Sequence, residues 1–287
     1  MKNFIKNIVI FSCFLGVFYV VSVVLWGQYF SFIPGSNLNY RIASAGFLKS
    51  RIIDLKCQAP VDILFLGSSH SARGFDTRIF EKQGFKAFNL GSSAQTAVQA
   101  ELLLKRYIKK LRPKLIIYEV YPLILSMDGV ESAVDIIAND RNDFNSLKMA
   151  FIINNIKVYN TLIFGLFRDL LDLNRNVTEG RRKKNAVYIK GGFVEWDLRS
   201  FSGDPKYEAR KWEFKGYQLK AFERILKSLE KDKIPIILVQ APATKKLYNS
   251  YSNNKEVDSY YNSKGIYFNF NEILGLSSCE YFYDEHH

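Results

Sequence analysis

Short apolar runs alternate with amphipathic helical patterns along residues 61–287, and this alternation restricts the chain to few folds. The runs that predict strands are Val61–Leu66, Ala87–Leu90, Leu115–Val120, Ile234–Gln240 and Gly265–Phe270. They are apolar at nearly every position, which is typical of strands buried on both faces of a parallel sheet. Helical patterns lie between them, at Thr96–Leu111 and Tyr217–Lys231. Because parallel strands need right-handed helical crossovers, the sequence predicts a three-layer α/β/α sandwich. With 287 residues, 48% of them hydrophobic, the chain can bury a full core in one large domain.

An uncharged run, Ile8–Trp26, follows the basic residues Lys2 and Lys6. As an α-helix it would be roughly 28 Å long, which is enough to cross the apolar core of a bilayer. By the positive-inside rule, the lysines keep the N-terminus in the cytoplasm and place the following domain outside the cell membrane. We therefore expect a single-pass transmembrane anchor at residues 1–30. The alternatives are a buried core helix and a cleaved signal peptide, but no small-residue cleavage site follows the run.

A connector at residues 31–60 leads to the α/β domain at residues 61–287. The connector suits either contact with an anionic membrane face or a solvated helix. Its basic residues are Arg41, Lys49, Arg51 and Lys56. Within the domain, residues 123–211 are too many for a crossover, so we interpret them as a mainly helical insertion on the substrate side. The insertion holds the basic run Arg181–Lys184, which is either a solvated loop or a binding site for an anionic substrate.

The net charge and the cysteines narrow the classes of partner. A formal net charge of +12 favours anionic partners such as a membrane surface or an acidic polymer. Zinc-finger spacing and RNP-like aromatic motifs are absent from the sequence, so no nucleic-acid partner is expected. The cysteines lack the CxxC spacing of metal and redox sites, and neither a metal nor a cofactor is expected. Cys57 and Cys279 could pair if both face an oxidising compartment, which the sequence leaves open.

Two predicted strands end in the same Gly-Ser-Ser sequence, at Gly67–Ser69 and at Gly91–Ser93. In an open parallel sheet, ligands bind at the carboxyl ends of the strands. A glycine allows a sharp turn there, and free amides at the start of the next helix can stabilise an oxyanion. Serine is also a preferred N-cap residue, and this simpler role is the one we assign to Ser92 and Ser93.

Asp284 and His287 lie close enough in the sequence for one turn of the chain to bring the carboxylate against the imidazole. This contact would fix the tautomer of His287 and leave its second nitrogen free to deprotonate a serine. Ser69 is the candidate nucleophile, so these residues are predicted to form a catalytic triad. An Asp-x-x-His pair also occurs in surface turns and weak metal sites. A metal would need further ligands, however, and outside this segment the only histidine is His70.

These motifs resemble those of the SGNH (GDSL-like) hydrolase family, over residues 61–287 apart from the insertion. Gly67-Ser68-Ser69 resembles the family's Gly-Asp-Ser after the first strand, with Ser68 in the place of the aspartate. Asn89-Leu90-Gly91 resembles the second motif, and Asp284 with His287 matches the last. The resemblance implies a flavodoxin-like sheet in which Ser69 is the nucleophile, His287 the base and Asp284 the orienting acid. It also implies that the amides of Ser69 and Gly91 form the oxyanion hole.

One motif departs from the family. The third motif usually adds an asparagine to the oxyanion hole, but here the strand runs into Glu119-Val-Tyr121-Pro122. Here the chain is similar to the membrane-anchored branch that acts on cell-envelope polymers, whose members include alginate O-acetylation proteins and the teichoic-acid D-alanylation protein. The resemblance implies a serine esterase or O-acyltransferase acting on an acylated cell-envelope polysaccharide or another ester, with an acyl-donor membrane protein as a further partner. The alternative is a non-catalytic binding or assembly component of an envelope polysaccharide pathway, which the absent asparagine favours.

The last feature is the end of the sequence. In the family, a loop and usually a closing helix follow the histidine, whereas this sequence stops at His287. Chain ends fray unless packing holds them, and a catalytic imidazole needs a fixed orientation. We therefore expect the complete protein to continue past His287 and the histidine to be mobile in the chain as given. Should the frame end there, His286 would be the alternative base.

Overall fold

The computed structural model of the protein describes residues 1–30, 33, 35–44, 46–58, 60–276 and 281–287. The strands are β1 (Ile63–Leu66), β2 (Ala87–Asn89), β3 (Leu115–Glu119), β4 (Arg182–Lys183), β5 (Ala186–Ile189), β6 (Phe193–Trp196), β7 (Ile236–Gln240) and β8 (Ile266–Asn269). The long helices are α1 (Lys2–Phe30), α2 (Leu48–Cys57), α5 (Ala97–Leu111), α7 (Val130–Asn139), α8 (Phe144–Ile153), α9 (Ile156–Leu170), α10 (Gly216–Lys231) and α12 (Asn254–Asn262). The short ones are α3 (Ser69–Gly74), α4 (Thr77–Lys82), α6 (Leu123–Ser126), α11 (Lys245–Asn249) and α13 (Phe270–Ile273). Cys57 is exposed, and Cys279, with which it could pair, lies outside the described residues.

A parallel five-stranded sheet in the order β2-β1-β3-β7-β8 forms the centre of the domain. Both of its faces are covered, because alternate residues of β1 enter different apolar clusters. Leu64 and Leu66 pack in the large core with α5 and α10, whereas Ile63 and Phe65 pack against Phe75 and Phe80 on the opposite side. The α/β fold with a parallel sheet and helices on both faces is confirmed, and every predicted strand contains an observed one.

The helices flanking the sheet begin close to where the sequence pattern places them. Thr96 and Gln99 form a capping box, so α5 begins at Ala97. Helix α10 begins at Gly216 and buries Phe222, Ile225 and Leu229 against the sheet side of the core. The predicted helical crossovers are therefore present.

Residues 123–211 contain helices α6 to α9, followed by a small antiparallel sheet in the order β4-β5-β6. The basic run at 181–184 contributes Arg182 and Lys183 to the edge of this sheet and is therefore not only a loop. Lys183 forms an ion pair with Glu179 and also donates to the carbonyl of Ala43. Its charge is thus partly used inside the fold.

The connector packs into the domain through α2. Arg51, predicted to face a membrane or solvent, is completely buried, so that interpretation of Arg51 is wrong. Its guanidinium donates to the carbonyls of Asn89 at 3.1 Å and Gly192 at 2.8 Å. These backbone oxygens satisfy the buried charge and join α2 to β2 and to the hairpin before β6.

Helix α1 is exposed along most of its length, and it is long and apolar enough to cross a membrane. These properties are compatible with a single-pass anchor or with a signal sequence. The helix contacts α9 at two levels. The hydroxyl of Tyr19 donates to Asn160 at 2.5 Å, and Gly27 lies so close to the ring of Phe164 that a Cβ there would come within 2.5 Å of it.

Candidate active site

Ser69 lies at the carboxyl end of β1, where the chain turns sharply into α3. The turn requires glycine at position 67, whose φ is +133°. Pairing of Leu66 with Tyr118 places the following residue, Glu119, against this glycine. A Cβ on Gly67 would lie 2.7 Å from the Cβ of Glu119 and 2.8 Å from its carbonyl oxygen. Ser68 is the N-cap of α3, which makes Ser69 the first helical residue.

The structure brings Ser69, His287 and Asp284 together in one hydrogen-bonded chain. Ser69 Oγ lies 2.8 Å from His287 Nε2. His287 Nδ1 lies 2.9 and 3.0 Å from the two carboxylate oxygens of Asp284. A carboxylate accepts and does not donate, so Nδ1 carries the proton and Nε2 is free to accept from the serine hydroxyl. The predicted residues therefore have the geometry of a triad, and their catalytic role stays a prediction.

Asp284 is held in its ionised form. Burial raises its pKa, but hydrogen bonds from the His287 ring and from the amide of His286 outweigh burial and hold the pKa well below its usual range. The amides of both His286 and His287 donate to Oδ1 at 2.8 Å. The carboxylate thus fixes both the ring and the backbone of the terminal turn.

Contacts with three separate parts of the domain hold the segment that carries these residues. The carbonyl of Phe282 accepts from the amide of Phe201 at 2.7 Å, and that of Glu285 accepts from Thr244 at 3.1 Å. The carbonyl of His286 lies 2.6 Å from His70 Nε2. The segment that ends at His287 is thus packed against the domain at several points. Continuation of the protein past His287 stays a prediction.

His70 lies between the rings of Tyr121 and His287, with a centroid distance of 4.5 Å to each. Burial, followed by the neighbouring charge of His287, lowers the pKa of His70 to about 3, so the ring is neutral. Because the His286 carbonyl can only accept, Nε2 of His70 carries the ring proton and Nδ1 is an acceptor. A neutral ring is the state that least opposes a positive charge forming on His287.

Sequence reasoning did not assign a role to Glu119, which is buried beneath the nucleophile turn. Its carboxyl group accepts from the amide of Tyr121 at 2.7 Å and from the amide of Ser68 at 3.3 Å. Burial raises the pKa of Glu119 to about 7, although these amides partly offset the effect. Two features of the sequence could have indicated this role: a carboxylate at the end of a buried strand, and serine in the place of the aspartate in the motif after the first strand.

The hydrogen-bond distances around Ser68 are best satisfied by a protonated Glu119. Ser68 Oγ lies 2.9 Å from Glu119 Oε2 and 3.1 Å from His70 Nδ1, yet it has a single proton to donate. Since His70 Nδ1 is an acceptor, both contacts are satisfied when Glu119 donates to Ser68 and Ser68 donates to His70. Glu119, Ser68 and His70 therefore form one proton-linked chain under the active site.

The geometry does not match the predicted role of Gly91 in the oxyanion hole. Its amide donates to Oδ1 of Asn89 at 3.0 Å, so this N–H is already occupied. A Cβ at Gly91 would lie 2.7 Å from the Cβ of Ser71, which explains the glycine by packing. Ser93 and Ala94, by contrast, line the same cavity as Ser69. Neither of their amides donates to another residue in the described part of the chain.

Three cavities surround the triad. The histidine cavity, about 310 Å³, is lined by Ser69, Tyr121, His286 and His287. The insertion cavity, about 720 Å³, lies between Ser69 and the antiparallel sheet and includes Lys184, Trp196 and Tyr283. The rim cavity, about 820 Å³, extends from His287 past Trp196 and Tyr283 to Arg199. Within the described ranges, no three His, Cys, Asp or Glu side chains form a group that could hold a metal ion.

No protein-family model matches the sequence, and no curated protein matches it. Among solved structures, the chain is similar to a GDSL-like lipase from Bacteroides thetaiotaomicron. The two are 12% identical with a TM-score of 0.39, over 84% of this chain and 88% of that chain.

Proposed function

We propose that this protein is a serine esterase or O-acyltransferase that works through an acyl-enzyme on Ser69. The observation that carries the proposal is the continuous hydrogen-bonded chain from Asp284 through His287 to Ser69, with contacts of 2.8 to 3.0 Å. Such a chain activates a hydroxyl that is otherwise a weak nucleophile.

In the proposed reaction, Ser69 Oγ attacks the carbonyl carbon of an ester while His287 Nε2 takes the hydroxyl proton. Asp284 stabilises the imidazolium that forms, and His287 returns the proton to the departing alcohol. The acyl group then lies on Ser69. Water regenerates the enzyme in hydrolysis, and a second hydroxyl does so in transfer.

The oxyanion of the tetrahedral intermediate needs donors beside Ser69. The amide of Ser69 lies in the first turn of α3, where N–H groups have no partner within the helix. We assign Ser93 and Ala94 as the other source of donors, because they line the histidine cavity and their amides are not otherwise engaged among the described residues. Ala94 has a φ of +49°, a conformation uncommon for alanine and one that recurs at functional sites.

The proposed substrate is an acylated cell-envelope polysaccharide, reached from a membrane anchor formed by α1. Rings of Trp196 and Tyr283 border both the insertion and the rim cavities, and aromatic walls of this kind are common in ligand sites. The length and apolar surface of α1 support membrane attachment. An acyl-donor membrane protein is a further proposed partner for transfer, and hydrolysis has no use for one.

A non-catalytic binding or assembly role is the second candidate. It is favoured by the occupied amide of Gly91 and by the absence from the sequence after β3 of the asparagine that the related motif supplies. Both features remove donors that an oxyanion would use. The same cavities would then bind an envelope polysaccharide without turning it over.

Labelling with a fluorophosphonate probe separates the two roles, because the probe reacts only with an activated serine. We expect the full chain in detergent to be labelled, and Ser69→Ala to lose the label completely. His287→Gln should slow labelling by several orders of magnitude. The matched variant His286→Gln should retain most of it, because the His286 ring contacts Tyr121 and not Ser69. Equal labelling of wild type and Ser69→Ala, or none of the folded wild type, would contradict the esterase proposal.

A further inference from the structure

Arg73 occupies an unusual place beside the nucleophile. It lies one turn after Ser69 on α3, so both residues project from the same side of this short helix. Arg73 lines the histidine, insertion and rim cavities alike. Its side chain is therefore next to any substrate that approaches Ser69 from these cavities.

The guanidinium of Arg73 is held by an aromatic ring. Its central carbon lies 4.2 Å from the centroid of Trp196, which is within the range of a cation–π contact. Trp196 is itself packed edge-on against Tyr283 at 5.0 Å. Stacking occupies a flat face of the guanidinium and leaves its N–H edges available for hydrogen bonds.

Those N–H groups have no acceptor in the described part of the chain. Arg73 makes no ion pair and no side-chain hydrogen bond there. Burial is the largest influence on the pKa of Arg73 and lowers it. Other buried arginines of this protein are matched with partners. Arg106, for example, pairs with Asp140 and Asp143 at 2.7 Å. Asp284 is the acid whose charge acts on Arg73, but its oxygens already accept from His287 and from two amides.

A half-buried guanidinium without a partner is costly, and the cost is removed when an anion binds. We infer that Arg73 is the binding residue for an oxyanion of the substrate, a carboxylate or a phosphate, that lies close to the ester bond. The preferred substrate is then an anionic ester, and Arg73 sets this preference by a charge-assisted, bidentate contact. This inference rests on the proposed ester chemistry at Ser69.

Binding tests the inference without any need for turnover. In the Ser69→Ala background, the full chain would be titrated with 4-acetoxybenzoate and with its neutral methyl ester. In a second pair, mono(4-nitrophenyl) succinate and 4-nitrophenyl pentanoate, the carboxylate of the anionic member is on the acyl side of the ester instead of the alcohol side. We expect Arg73→Gln to weaken the anionic member of at least one pair by about 10- to 100-fold relative to its neutral partner.

Two further variants control for structural effects. Arg73→Lys keeps the charge without the bidentate geometry, so it should recover part of the anion preference. Arg175→Gln removes an exposed arginine that lines none of the three cavities, and it should leave the preference as in Ser69→Ala alone. Equal weakening of anionic and neutral members by Arg73→Gln, or none, would overturn the assignment. Failure of the proposed function would appear elsewhere, as a folded wild type that the serine probe does not label.

Discussion

Replacing Glu119 by glutamine removes the buried acid that lies under the nucleophile turn and should change how stability depends on pH. Glu119 is 1% exposed, and its pKa is raised to about 7 from an ordinary value of 4.5. Between these values the unfolded chain has lost the proton that the folded chain keeps. The free energy of unfolding of the wild type therefore falls as the pH rises through this window.

The size of the effect follows from the two pKa values. Their difference corresponds to ~3 kcal/mol, reached once the pH exceeds about 7. Glutamine resembles the protonated acid and does not titrate, so this fall in the free energy of unfolding with rising pH is absent from Glu119→Gln. Glutamine has one acceptor oxygen fewer for the amides of Ser68 and Tyr121, but the stability lost in this way is the same at every pH. For a protein of this size, ~3 kcal/mol corresponds to a relative change in melting temperature of about 10 °C.

The assay is thermal unfolding of the detergent-solubilised full chain between pH 4 and pH 8. The quantity compared is the melting temperature of Glu119→Gln minus that of the wild type, which should rise from pH 4.5 to 7 and then level off. Other groups with raised pKa values, such as Asp135, are present in both proteins and cancel. Glu81→Gln, at an exposed position, serves as the control. A difference that stays constant over the whole range would show that Glu119 is ionised in the folded protein and would refute the proton chain to Ser68 and His70.

Three further predictions concern the turn, the triad and the anchor. Gly67→Ala should destabilise the protein by about 2–5 kcal/mol, measured as a lowered melting temperature, because a Cβ there meets Glu119 at 2.7 Å and φ is positive. Gly84 also has a positive φ, but the space around it is open. Gly84→Ala should therefore lose only the stability that the unfavourable backbone conformation costs, and an equal loss of stability in the two variants would contradict the steric argument. Asp284→Asn should lower kcat on a neutral ester by about 10⁴-fold, because the His287 tautomer is no longer fixed, and a loss below tenfold would remove Asp284 from the mechanism. A reporter enzyme fused after residue 60 should be active only outside the cytoplasm, and cytoplasmic activity or a mature chain that begins near residue 27 would contradict the anchor.

The sheet was predictable because its strands are continuous apolar runs, and burial on both faces produces this pattern directly. The triad was predicted from the spacing of Asp284 and His287 and from the motif around Ser69, and the structure places Ser69 Oγ 2.8 Å from His287 Nε2. The burial of Arg51 and the hydrogen bond that occupies the amide of Gly91 were not predictable. Whether an amide is free depends on side chains such as Asn89 that turn back on their own strand. A buried arginine cannot be told from a surface arginine by sequence alone, because its carbonyl partners belong to distant segments.

Other features escaped sequence analysis because they depend on contacts across long stretches of chain. Glu119 acquires its role from Ser68, in the turn that follows the neighbouring strand, and from the burial of both. Arg73 is defined by Trp196, which belongs to an antiparallel sheet that the helical interpretation of residues 123–211 did not include. In both cases the residue type was visible in the sequence and its neighbour was not.

The packing of α1 on α9 affects how a membrane-bound form would meet its substrate. The contacts at Tyr19 and Gly27 lie roughly 12 Å apart along the helix, so they fix the direction of α1 as well as its position. If α1 spans a membrane as proposed, α9 lies against the membrane at Tyr19, which belongs to the run Ile8–Trp26. The domain is then not attached by a flexible tether, and Ser69 keeps a constant height and tilt relative to the lipid. Only esters that come to that height can react.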